Sequence, residues 1–120
     1  MRRVRAGAVV GRQRARRRGQ YAEYMASAAW RIRRHNWIAH EEFTTGRPVR
    51  CAVCGTEDWE DLHHLTYDRL GDERHDDLVA VCRRHHDELH RAYEAGRWRG
   101  VGYEAVMRRL LKLAREREAG

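Results

Sequence analysis

The sequence predicts an α+β fold: a small metal-stapled core of two strands and a helix, flanked by an N-terminal and a C-terminal helix. Three observations predict it. Cys and His are interleaved over forty residues, from Cys51-x2-Cys54 through His63-His64 to Cys82-x2-His85-His86-x3-His90. Within that stretch lie two apolar-rich runs too short for helices. Apolar residues recur at helical spacing on either side of it.

At 120 residues the chain suits one small domain, and a core of that size usually needs a staple beyond its apolar burial. Three cysteines cannot all pair with one another, and nothing near Met1 is apolar enough for a signal peptide or a membrane span. The expectation is a cytoplasmic chain with no membrane partner, in which clustered Cys and His bind metal.

The net charge of +7 belongs to one end of the chain. Residues 1–20 carry eight Arg and no acid, whereas the other hundred carry 17 basic and 18 acidic groups. Such a block is expected to be a flexible arm, either simply solvated or resting on phosphate, with Arg12, Arg14, Arg16, Arg17 and Arg18 as candidate nucleic-acid contacts. Mutual repulsion opposes a stable free helix there, although Ala6, Ala8, Val9 and Val10 would let part of it fold on binding.

A single domain is expected over 21–118. Its helical lead-in, 21–45, places Tyr21, Tyr24, Met25, Ala28, Ala29, Ile32, Trp37 and Ile38 near one stripe, and Ser27 is positioned to cap a second helix within it. These aromatics read as core in preference to a base-stacking platform. Thr44, Thr45, Gly46 and Pro48 end the pattern and lead into a metal-stapled core over 50–96.

Cys51-Ala52-Val53-Cys54-Gly55 has the form of a zinc knuckle, with the Gly relieving the turn. Cys82-Arg83-Arg84-His85 supplies a second pair at the start of a helix, completing a Cys3His set for structural Zn2+. In zinc peptides such a site contributes on the order of 10 kcal/mol, enough to decide whether a small domain folds. The 27 residues between Cys54 and Cys82 exceed a simple finger loop. Asp61–Leu65 and Leu78–Val81 suit two strands joined by a polar loop, and Arg83–Ala95 suits an amphipathic helix stopped by Gly96.

On that helix His86 and His90 share a face, while His85 points about 100° away from His86. One helix can therefore serve the zinc through His85 and a second ion through His86 and His90. With His63 from the first strand, three neutral imidazoles would hold a divalent cation and leave positions open for phosphate and water. His64 would stand beside them as a general base, since a free imidazole can take a proton from water near neutrality, provided the strand ends or bends where the two His meet. The bland alternative is that His63-His64 is a second structural pair. Arg97–Gly102 forms a Gly-punctuated link, and 103–117 reads as a packing helix whose basic residues form a solvated face. Trp59 and Trp98 have no role assignable from sequence.

Cys51 to His90 resembles the HNH endonuclease family. The strings that carry the likeness are Cys-Ala-Val-Cys-Gly, Leu62-His63-His64-Leu65-Thr66-Tyr67-Asp68-Arg69-Leu70-Gly71-Asp72-Glu73, Asp77-Leu78-Val79-Ala80-Val81-Cys82, and His85-His86 with His90. Upstream, Tyr21-x2-Tyr24-Met25-x-Ser27-x2-Trp30 resembles the helical lead-in of phage and bacterial members. The resemblance implies a ββα-metal fold, His63, His86 and His90 on a catalytic Mg2+, Mn2+, Ni2+ or Zn2+, and His64 as the base.

Asp77 falls where the family carries Asn, in the position that steadies the loop bearing the base. Asp accepts hydrogen bonds there but cannot donate them. The expected activity is metal-dependent nicking or cleavage of DNA, with Arg83 and Arg84 adding phosphate contacts. The rival is a zinc-stabilised DNA-binding module without catalysis. Phage members suggest a large terminase as partner, and packaging, restriction and toxin roles all stay open.

Overall fold

The chain is described over residues 18–120 in a computed structural model. Arg12, Arg14, Arg16 and Arg17 lie outside the described residues, whereas residues 18–20, read above as part of the arm, are helical and continue to residue 25. Helix α1 (Ala28–Thr45) starts at Ser27, whose Oγ accepts from the Trp30 amide at 3.1 Å, and ends at Gly46 in the left-handed region (φ 70°). Strands β1 (Asp61–His64) and β2 (Leu78–Val81) pair antiparallel, with Asp61 opposite Val81 and His64 opposite Leu78. A 3-10 turn, His75–Asp77, feeds β2; α2 (Arg83–Ala95) and α3 (Tyr103–Ala119) follow. The α+β class, the hairpin and the bounds of α2 agree with the sequence reading.

Strand side chains alternate, so the hairpin sorts its residues between two cores. Leu62, Leu78 and Ala80 pack with Trp30, Trp37 and Val49 on the α1 side. Val81 and, just beyond β1, Leu65 pack with Leu89 of α2, with Val106, Met107, Leu110 and Leu111 of α3, and with Cys51 and Val53 of the knuckle. Both faces of this two-stranded sheet are therefore covered.

Two expectations about packing change. Trp30 and Trp37, seven residues apart, form the buried edge of α1, while Ile32, placed in the stripe from sequence, is 62% exposed. Gly96 does not stop α2 through a left-handed conformation, since its φ is −83°. It is Gly because the Trp98 ring crosses it: a Cβ there would lie 2.0 Å from that ring. Trp98 thereby gains a role, donating from Nε1 to the Tyr93 carbonyl at 2.7 Å. Trp59 packs against the α1 core under the Arg34 guanidinium, 4.9 Å from its ring centre. Among the described residues no helix is long and apolar enough to cross a membrane.

Candidate metal centres

Four potential ligands come together from three segments: Cys51 and Cys54 from the knuckle, Cys82 from the end of β2 and His85 from the first turn of α2. Gly55, at φ 75°, turns the backbone behind Cys54, a conformation that costs other residues a steric penalty. Cys54 Sγ lies 3.9 Å from Cys82 Sγ, and His85 Nδ1 lies 3.3 Å from Cys82 Sγ and 3.8 Å from Cys51 Sγ. Tetrahedral zinc bond lengths would set such donors about 3.5–3.8 Å apart. The donor set therefore fits Zn2+.

The protonation chemistry agrees. Burial opposes ionisation of Cys51, but amides, including that of Val53 at 3.4 Å, and the His85 ring outweigh it and bring the thiol down to about 6. Burial and the neighbouring sulfurs push Cys82 up. Thiols that cannot all ionise alone are what a cation relieves. On the far side of the imidazole, His85 Nε2 donates to Glu118 Oε1 of α3 at 2.8 Å, which fixes Nδ1 as the atom facing the sulfurs. Sequence reading missed Glu118; only the packing of α3 against α2 brings it there.

The second set is His63, His86 and His90. His63 points from β1 toward α2, and its ring centre is 5.2 Å from both helical imidazoles. His86 Nε2 and His90 Nε2 are 3.1 Å apart, near the roughly 3.3 Å expected of two nitrogens on one tetrahedral ion. His63 Nε2 is buried with no hydrogen-bond partner among the described residues. Burial and the two facing imidazoles hold His63 down to about 3, so it is neutral, as a ligand must be. An orphaned, uncharged nitrogen facing two others fits a divalent cation. Asp61, on the same face of β1, places Oδ2 3.6 Å from His86 Nδ1, close enough to act on it by charge though too far for a hydrogen bond.

His64 is the last residue of β1, yet its ring turns to the α1 side and is not one of these three. It stacks on Trp30 (5.1 Å) and Tyr67 (5.3 Å), with the Tyr21 ring nearly perpendicular and its centre 5.8 Å away. Its side chain has no exposed surface; Nε2 lies 2.8 Å from Glu73 Oε2, and Nδ1 has no partner among the described residues.

Asp77 is buried in the loop. It takes a forked pair of bonds from Arg69 (2.8 and 2.5 Å) and one from the Arg74 amide (2.9 Å), and these hold its carboxyl below the usual range. Its own carbonyl accepts from the Leu65 amide at 2.7 Å, just after His64. The accept-only chemistry of Asp suits this place because Arg69, which sequence reading passed over, supplies the donors. Asp77 thus positions the loop and lies apart from the imidazole cluster.

Arg18 is exposed on the N-terminal helical segment. Arg83 is exposed, with Asp61 at 3.9 Å and Asp87 at 3.8 Å, and Arg84 is bonded to Glu118 at 2.7 Å. Both α2 arginines are thus shared with acids at the metal sets. Fold and site together define a small α+β protein with two distinct clusters of potential metal ligands. In comparisons with known proteins, no family model, no curated protein and no solved structure matches the chain.

Proposed function

We propose that this chain is a metal-dependent HNH endonuclease of the ββα-metal type, hydrolysing DNA phosphodiester bonds. The observation that carries the reading is the convergence of three imidazoles, one buried and without a hydrogen-bond partner among the described residues, beside a separate Cys3His set. Metal-assisted phosphodiester hydrolysis needs a ligand set that leaves positions open for substrate, and here adjacent residues, His85 and His86, belong to a Cys3His set and to a separate three-imidazole set.

His63, His86 and His90 would hold the catalytic ion, and Cys51, Cys54, Cys82 and His85 a structural Zn2+. Bound at the three imidazoles, a divalent ion supplies Lewis-acid stabilisation of phosphoryl charge. His64 takes the proton from the attacking water at its free nitrogen, and Asp77 with Arg69 holds the loop that follows. Because His64 is enclosed, the wall formed by Tyr21 and Trp30 must part for water to reach it. The Arg-rich arm, with Arg83 and Arg84, adds sequence-independent affinity by counterion release.

That enclosure is also the observation favouring the second reading, a zinc-stabilised DNA-binding module without catalysis. Plasmid nicking separates the two. Intact chain with Mg2+, Mn2+, Ni2+ or Zn2+ should convert supercoiled DNA to nicked circles, and His86→Ala and His64→Ala should each slow this by about 100-fold or more. Equal nicking by the intact chain and both variants would overturn the endonuclease reading. Retardation of DNA with no nicking under any of these metals would establish the binding module.

A further inference from the structure

Glu73 is a charged side chain with 1% of its surface exposed, and it sits at the junction of three segments. Oε2 faces His64 Nε2 at 2.8 Å, while Oε1 accepts from the Tyr24 hydroxyl at 2.8 Å and the Gly71 amide at 3.2 Å. The Glu73 carbonyl accepts from Arg33 Nε at 3.1 Å. Burying a carboxylate is costly unless it is hydrogen-bonded, and here both oxygens have partners, three in all.

A carboxylate only accepts, so the hydrogen of a neutral His64 ring must be on Nε2. The stacks on Trp30 and Tyr67, at interplanar angles of 30° and 20°, keep the ring from turning. Nδ1 is left as a buried acceptor with no partner among the described residues. A histidine kept only for packing would have both nitrogens satisfied, because an unmatched buried acceptor costs about 1–3 kcal/mol. The deliberate asymmetry, one nitrogen clamped and one bare, is the arrangement of an oriented base.

We infer that Glu73 is the positioning residue for His64, fixing the Nε2–H tautomer and presenting Nδ1 as the atom that accepts the proton from water. The role of His64 as base rests on the endonuclease reading; the clamp itself does not.

Two measurements on the full, zinc-loaded chain test this. Nitrogen-15 NMR of the His64 ring at pH 8 should show the Nε2–H tautomer alone, and Glu73→Ala should give a mixture. An Nδ1–H ring in the wild type, or an unchanged tautomer in Glu73→Ala, would overturn the clamp, and the wild-type spectrum decides even if that variant fails to fold. In nicking assays Glu73→Ala should lower kcat about 10- to 100-fold at constant KM, and should have no further effect in a His64→Ala background. Losses that multiply in the double variant would mean a structural role only and overturn the positioning claim. A wild-type chain that nicks no DNA defeats the endonuclease reading, with the NMR result still deciding the clamp.

Discussion

Glu118 makes it possible to weaken the Cys3His set without altering a ligand. Its carboxylate holds the His85 ring from behind, at 2.8 Å from Nε2, and outer partners of this kind set both the tautomer and the basicity of a ligating imidazole. Glu118→Ala should therefore lower zinc affinity about 10- to 100-fold, read by competition with a chromophoric chelator. An unchanged affinity would mean that Glu118 is a surface partner of Arg84 alone. His63 makes a different prediction, about acid. In the folded chain it is held near 3, whereas in the unfolded chain it titrates at its ordinary 6.5. As pH falls below 6.5 the unfolded chain takes up the proton first, so metal-free protein loses stability until about pH 3. The contribution is at most about 1.4 kcal/mol per pH unit. Urea midpoints across that window should fall less steeply for His63→Leu than for the wild type; parallel slopes would refute the assignment.

At the scale of the element, the signals that survived folding were local ones. Ser27 caps α1 because a short hydroxyl three residues before an amide needs nothing distant, and α2 runs from Arg83 to Ala95 because its amphipathic pattern is contained in those thirteen residues. The signals that failed depended on which face a neighbour covers. The stripe on α1 looked as if it could include Ile32, but the hairpin lies against the Trp30–Trp37 edge, where each indole buries more apolar surface. His63 and His64 are adjacent in sequence, and the alternation of β1 sends one to α2 and the other to α1. The partners of His64, Glu73 nine residues on and Tyr21 and Trp30 more than thirty residues back, carry no spacing that could announce them, whereas the i,i+4 spacing of His86 and His90 announces those of His63. Gly96 is a third such case: a stop signal by position, it proves to be a contact surface for Trp98. Gly96→Ala should force the indole away, break its bond to the Tyr93 carbonyl and cost about 1–3 kcal/mol, seen as a lower Tm. A variant as stable as the wild type would show that the ring can shift without loss.

At the scale of the whole molecule, α2 joins the two clusters but does not make them equivalent. The Cys3His set ties the knuckle, β2 and α2 together, and Cys51 and Val53 extend it into the core beneath α3. Removing it takes away a restraint additional to the apolar core these segments share, in a domain too small to spare one. The imidazole set spans only β1 and α2, which the hairpin and Leu89 already hold in place. The two ions should therefore have different thermodynamic consequences. Wild-type protein is expected to bind two divalent ions, one of them released only by a strong chelator and with loss of the cooperative melt. Cys54→Ser should lose that melt at ambient temperature. His86→Ala should keep it, retain one zinc and bind no second ion, measurable by elemental analysis and isothermal titration with Mn2+ or Ni2+. If His86→Ala unfolds with Cys54→Ser, the second cluster is a structural extension of the first and not a separate open site. If Cys54→Ser still melts cooperatively, the apolar cores on the two faces of the hairpin hold the fold without zinc.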